Sequence, residues 1–265
     1  MVFRPHNVAA AVLSVAVGFA MTGSRQWPWF IFGAAAFATA AGNTINDIYD
    51  VAIDRVNKPR RPLAAGTLSI RAAMGMYVFF VVAALFLTFY LSTVAAAWVA
   101  VWVVLLHIYS WRLKRLYLAG NILVALVAAS GFLLGAYAGG SIMIGAVPAA
   151  FTFFFVMGRE IVKDTDDIEG DKVCKARTFP IVSGKRAALI TALAIFLALC
   201  IVFPIPSFLG FYRMAYGLIM LCTTVPILLI SIWIILAGRP LGVVSTLLKI
   251  GMFFGCIAFY FGPRR

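Results

Sequence analysis

Asp47, Asp50 and Asp54 are spaced 0, 3 and 7, and Asp164, Asp167 and Asp171 repeat that spacing 117 residues later. At 3.6 residues per turn, each triplet projects from one face of a helix end. The position four before each triplet is also polar, Asn43 in the first copy and Glu160 in the second. Lys58 and Arg60 follow the first triplet, and Lys175 and Arg177 follow the second at the same offset. A proline and then a glycine close each segment, Pro62 with Gly66 and Pro180 with Gly184. All 9 acidic residues of the chain lie in these two stretches, which reads as an internal repeat.

Carboxylates gathered in this way repel one another. Two of them about 6 Å apart cost about 3 kcal/mol at an effective dielectric near 20, unless a cation sits among them. An all-oxygen ligand set with no matching His or Cys suits Mg²⁺, which keeps waters and takes one or two carboxylates together with substrate phosphates. The basic residues trailing each triplet argue against a bare ion site. A metal-bound diphosphate wants both, carboxylates for the ion and cationic side chains for the remaining phosphate oxygens. The candidates for the second task are Arg60, Arg61, Arg159, Lys163, Lys175 and Arg177. A third basic element, YSWRLKRL, adds Arg112, Lys114 and Arg115.

These residues must be positioned by membrane helices. A mean hydropathy of +1.03 with 12% charged residues is far from the roughly 25% charge of soluble domains. Several apolar runs reach the roughly 20 residues that cross a bilayer, and residues 74–106 suffice for two crossings. The alternation of a transmembrane barrel is not found. The chain is therefore expected to be all-α and polytopic, with nine transmembrane helices in one bundle-like domain spanning 1–265. They fall near 7–22, 28–50, 69–91, 93–110, 118–138, 142–164, 185–203, 213–236 and 242–261, placed by Gly, Pro and charge. The N-terminal segment reads as the first of these rather than as a cleaved leader, because further spans follow at once. Cys174, Cys200, Cys222 and Cys256 are scattered and suggest neither a zinc site nor a disulfide framework.

Nine spans sort the 22 basic residues unevenly: only Arg25, Arg213, Arg264 and Arg265 fall on one side, and Lys249 lies within the last span. The positive-inside rule then puts the N-terminus in the cytoplasm, the C-terminus outside and both acidic clusters on the cytoplasmic side of the cell membrane. The net charge of +13 follows from topology and attraction to anionic lipid, and calls for no nucleic acid. No obligate protein partner is evident.

The motifs resemble those of the UbiA-type intramembrane prenyltransferases. NDIYDVAIDRVNKPRRPL is similar to that family's first signature, N-D-x-x-D-x-x-x-D followed by R-P-[LI], and KDTDDIEGDK to its second, D-x-x-D-x-E-G-D. YSWRLK is similar to the Y-x-x-x-K element, although Tyr109 and Lys114 are five apart rather than four. The resemblance implies a polyprenyl diphosphate bound through Mg²⁺ by both motifs, ionisation of its allylic C1–O bond, and capture of the carbocation by a lipophilic acceptor. It makes Asp47, Asp50, Asp54, Asp164, Asp167 and Asp171 the metal and catalytic residues. Asn43, Asn46, Arg60, Tyr109, Lys114 and Lys163 become substrate-binding residues, and loops 51–68 and 165–184 cap the site against water. Phe151, Phe153, Phe154 and Phe155 either line a prenyl channel or pack between helices.

The short spacer in DRVNKPRRPL and the sequence REIVKDTDDIEGDK look most like the archaeal branch, which adds a geranylgeranyl group to geranylgeranylglyceryl phosphate. Aromatic or chlorophyll-type acceptors remain alternatives. From other classes, a divalent-cation transporter would place its acids near the midplane without trailing cations, and a CDP-alcohol phosphotransferase would need a glycine that DVAIDR lacks. Lys249 either snorkels or faces a cavity.

Overall fold

A computed structural model describes residues 4–173 and 175–263; Cys174, Arg264 and Arg265 of the sequence reading lie outside them. Among the described residues the chain is helical, and its only β pairing is a one-residue bridge between Tyr212 and Pro263. It folds as two compact units, Met1–Ala16 with Arg25–Lys114, and Val17–Ser24 with Arg115–Arg265.

The first unit is built on α2 (Trp29–Tyr49), α4 (Ile70–Phe89) and α5 (Thr93–Trp111), which pack on one another. Ala34, Ala41, Ala73, Ala84 and Ala95 are buried there; small side chains let membrane helices approach closely. Ser69 and Ser92 cap α4 and α5, accepting from the Ala72 and Ala95 N–H groups at 3.1 and 3.0 Å, which starts each helix where the apolar run begins. The His107 ring nitrogens lie 3.2 Å from both the Tyr49 and Tyr77 hydroxyls, tying the three helices together. Short α3 (Val51–Asn57) follows α2, and α1 (Pro5–Met21) supplies its first residues to this unit.

In the second unit α6 (Ala119–Ala138) and α7 (Ala146–Asp166) are followed by short α8 (Ile168–Val173) and α9 (Phe179–Ser183). Then come α10 (Lys185–Val202), short α11 (Ile205–Phe208), α12 (Met214–Ile219), α13 (Val225–Leu236) and α14 (Leu241–Phe261). Helix α7 is central, packing against α6, α10 and α14. A Cβ at Gly158 would come within 2.5 Å of the fully buried Phe196 ring, and one at Gly18 would collide with the Phe132 backbone. Phe151 and Phe155 pack against Phe203, with Phe151 also 5.9 Å from Phe259. Those two phenylalanines are interhelical packing, whereas Phe154 is exposed. Helices α12 and α13 join through a π turn, Met220–Thr224. Pro226 has no N–H to give the preceding turn, which accounts for the wider winding there.

Each of the nine segments expected from sequence is helical. Seven of the described helices are long and apolar enough to cross a membrane: Ile70–Phe89, Thr93–Trp111, Ala119–Ala138, Ile142–Asp166, Lys185–Phe208, Met214–Leu236 and Leu241–Phe261. Helix α1 is shorter, at 17 residues, and the apolar character of α2 is diluted by Asn43, Thr44, Asn46 and Asp47. The exposed face of α4 carries Val78, Phe79, Val82, Phe86 and Phe89, apolar area that calls for lipid rather than water.

Candidate active site

Each aspartate triplet sits on a broken helix rather than on one continuous face. Helix α2 ends at Tyr49, Asp50 takes φ −93° and ψ 1°, and α3 resumes at Val51. Helix α7 ends at Asp166, Asp167 takes φ −89°, ψ 6°, and α8 resumes at Ile168. The hydrogen bonds across the two breaks match as well. Asp50 N–H donates to Asn46 O and Asp167 N–H to Lys163 O, both at 3.0 Å, while Asp54 and Asp171 donate back to Asp50 and Asp167 at 2.8 and 3.0 Å. Every one of these positions differs by 117, so the sequence repeat is a repeat of backbone conformation. Aspartate competes for nearby backbone groups and is a poor residue for a helix interior, which favours the break at the middle acid of each triplet.

Side-chain partners separate the two copies. In the first unit Asp47 and Asp54 are buried, and Arg61 Nη1 bridges them, 3.3 Å from Asp47 Oδ1 and 2.6 Å from Asp54 Oδ2. Arg4 also pairs with Asp47 and Lys114 with Asp50. Asn46 donates to Asp50 at 3.0 Å and its carbonyl lies 3.4 Å from Lys114 Nζ. Buried Asn43 accepts from Asn7 at 3.1 Å. Three acids thus meet three cations. In the second unit Asn121 Nδ2 donates to Asp164 Oδ2 at 2.7 Å, and Thr178 Oγ1 to Asp171 Oδ2 at 3.4 Å. Asp167 is exposed. Glu160 pairs with Arg159 and, at 3.1 Å, with Lys163, and exposed Glu169 pairs with Lys172 at 3.0 Å.

Asn43, Asn46, Lys114 and the first triplet are brought together in the first unit, and Lys163 joins the second motif through Glu160. Tyr109 is half-buried on the last turns of α5, and Arg60 is exposed. Arg61, the neighbour of Arg60, makes the ion pairs. Sequence reasoning missed Arg4 and Asn121. Both lie 43 residues before the first aspartate of their triplet, so extending the 117-residue offset upstream would have found them.

The donor set fits Mg²⁺ in its chemistry, since carboxylates and side-chain amides gather at both motifs and, among the described residues, no His or Cys joins them. Among the described residues no group of three His, Cys, Asp or Glu side chains converges closely enough to hold an ion by itself.

The model of the UbiA prenyltransferase family matches residues 9–257. The chain belongs to that family. It is 33% identical to digeranylgeranylglyceryl phosphate synthase of Methanopyrus kandleri over 97% of this chain and 95% of the relative. Against the enzyme of the same name from Pyrococcus furiosus it is 34% identical, over 98% and 95%. A solved structure of digeranylgeranylglyceryl phosphate synthase superposes with a TM-score of 0.78 at 26% identity, covering 98% of this chain and 95% of that one. A UbiA homologue from Archaeoglobus fulgidus bound to GPP and Mg²⁺ shares the fold, with a TM-score of 0.73 at 23% identity over 95% and 96%. With its apolar helices, this UbiA family member is a multi-pass membrane protein.

Proposed function

We propose that this protein is a Mg²⁺-dependent prenyltransferase that moves a geranylgeranyl group from its diphosphate to geranylgeranylglyceryl phosphate, a step of archaeal ether-lipid synthesis. The observation that carries the reading is the pair of oxygen-rich aspartate motifs with equivalent backbone breaks, in a chain similar along its length to digeranylgeranylglyceryl phosphate synthases. In the reaction the allylic C1–O bond breaks and its electrons leave with the diphosphate. The acceptor hydroxyl oxygen then forms the new C–O bond and releases its proton.

Asp47, Asp50, Asp54, Asp164, Asp167 and Asp171 would hold the metal, with Asn43 and Asn46 beside the first set. Bound Mg²⁺ would neutralise charge on the departing diphosphate. Arg60, Arg61, Lys114, Lys163 and Tyr109 would take phosphate oxygens that the metal leaves. Segments 51–68 and 165–184 would keep water from the cation. All nine helices would cross the membrane as one domain over 1–265, N-terminus in the cytoplasm, C-terminus outside and the chemistry on the cytoplasmic side. The partners in this reading are the polyprenyl diphosphate, the lipophilic acceptor and the surrounding lipid.

The test is an acceptor screen with geranylgeranyl diphosphate and Mg²⁺. Geranylgeranylglyceryl phosphate is expected to be prenylated, and 4-hydroxybenzoate and dihydroxynaphthoate are not. Preferred turnover of an aromatic acceptor overturns the lipid assignment.

A further inference from the structure

In the second unit the residues on both sides of Thr178 are gripped by the link that leads into α6. The Arg177 N–H donates to the Arg115 carbonyl at 2.8 Å. Two residues on, the Phe179 ring meets the Tyr117 ring edge to face, with centroids 5.2 Å apart and planes at 84°, a favoured aromatic geometry. Ser183, at the end of α9, donates its hydroxyl to the Tyr117 phenol oxygen at 3.2 Å. Arg115 and Tyr117 belong to the link, whereas Arg177, Phe179 and Ser183 follow the second aspartate triplet. The link turns sharply here: Leu118 takes φ 51° and ψ −18°. Lys175, just before the gripped stretch, also takes φ 51°. A left-handed backbone is costly for a residue with a side chain, and it persists where surrounding contacts over-determine it.

Thr178 itself is buried, and its Oγ1 lies 3.4 Å from Asp171 Oδ2. The position recurs. Thr178 is seven residues after the last aspartate of its triplet, and 117 residues earlier Arg61 is seven after Asp54. Arg61 turns back on that aspartate as Thr178 does, at 2.6 Å. Both copies of the repeat therefore close a loop from the seventh residue onto the third carboxylate. The two closures differ in strength. A guanidinium at 2.6 Å makes a charge-assisted bond, whereas a hydroxyl at 3.4 Å is at the long end of hydrogen-bond distances. The second loop has instead the backbone bond at Arg177 and the ring contact at Phe179, one on each side of Thr178.

We propose that Tyr117 is a positioning residue of the second aspartate motif: it clamps residues 177–183 and so keeps the Thr178 hydroxyl on Asp171. Tyr117 touches neither substrate nor metal. It acts through Phe179 and Thr178 on the orientation of one carboxylate. Groups that hold a metal ligand in place change metal affinity by about 10–100-fold when removed. This assignment rests on Asp171 being a metal residue, as in the function proposed above, and adds an aromatic side chain that lies outside both aspartate motifs.

Manganese titration of the substrate-free full chain in detergent tests it, as wild type, Tyr117→Ala, Tyr117→Phe, Thr178→Val and the double variant Tyr117→Ala/Thr178→Val. Tyr117→Ala and Thr178→Val are each expected to weaken Mn²⁺ binding by about tenfold. Tyr117→Phe keeps the ring contact and is expected to stay within about twofold of wild type. The double variant should be no weaker than either single one, because both changes interrupt one route to Asp171. Asp171→Asn is the control. Where it weakens Mn²⁺ binding, unchanged affinity in Tyr117→Ala overturns the clamp, and so does a double variant in which the two losses multiply. Where Asp171→Asn leaves Mn²⁺ binding unchanged, the metal role of Asp171 fails instead. Hydrogen exchange across residues 175–183 then decides the clamp: exchange about tenfold faster or more is expected in Tyr117→Ala, and equal exchange refutes it. Tyr117 is exposed, so its truncation leaves the helices packed. Should Tyr117→Ala not fold, Tyr117→Leu takes its place with the same expected loss and the same refuting result.

Discussion

Asn121 donates to Asp164 at 2.7 Å from the same register at which Arg4 donates to Asp47. One copy of the repeat gives its leading carboxylate a neutral amide, and the other gives it a full positive charge. A cation on a carboxylate competes with a metal for the same oxygens, so the two leading aspartates should differ in their readiness to bind one.

That difference can be exchanged. Arg4→Asn should tighten Mn²⁺ binding to the substrate-free protein, and Asn121→Arg should weaken it, each by about tenfold for about 1.4 kcal/mol. Manganese titration followed by electron paramagnetic resonance reads both. Equal affinity in wild type and both variants would remove the idea of competition.

Asp47→Asn and Asp171→Asn should lower the initial rate of prenyl transfer at saturating Mg²⁺ by at least about 100-fold. The amide preserves shape, which matters because Asp47 is buried between Arg4 and Arg61. Truncation to alanine would leave those cations facing each other, a loss that reaches about 3–5 kcal/mol for fully buried pairs and less here, where both arginines are a quarter exposed. Size-exclusion profiles should stay unchanged in the Asn variants. Wild-type-like turnover in either would sink the metal assignment.

Chelation by EDTA should abolish turnover, and added Mg²⁺ should restore it in full. In Asp171→Asn the Mg²⁺ concentration for half-maximal rate should rise by about 10-fold or more. Activity that survives exhaustive chelation contradicts the proposal.

Gly158→Ala should destabilise the second unit by about 1–3 kcal/mol, because its Cβ would meet the Phe196 ring at 2.5 Å. Phe196 is fully buried and has little room to yield. The check is a thermal melt in detergent, where Gly158→Ala combined with Phe196→Leu should recover part of the loss. A melt unchanged by Gly158→Ala would mean that α7 and α10 separate freely.

The repeat was legible because ionisable residues are rare in an apolar chain. With only 9 acids in 265 residues, their placement stands out, and the 117-residue offset could be read directly. Helix positions were legible for a related reason, since apolar length and punctuation by Gly, Pro and charge leave few alternatives. The break at Asp50 and Asp167 was not, because a spacing of 0, 3 and 7 is satisfied by one helix as well as by two short ones. Arg60 and Arg61 could not be told apart either, because neighbours in a turn point in directions that only the folded backbone sets.

The sequence by itself determined the membrane class, the family motifs and the pairing of two aspartate segments, all of which depend on residue type and separation along the chain. Only the tertiary structure decided which cation meets which carboxylate. Those choices depend on helices distant in sequence: α1 brings Arg4 to Asp47, and α6 brings Asn121 to Asp164. Charge acts across a few ångströms of space, and no count along the chain measures that distance.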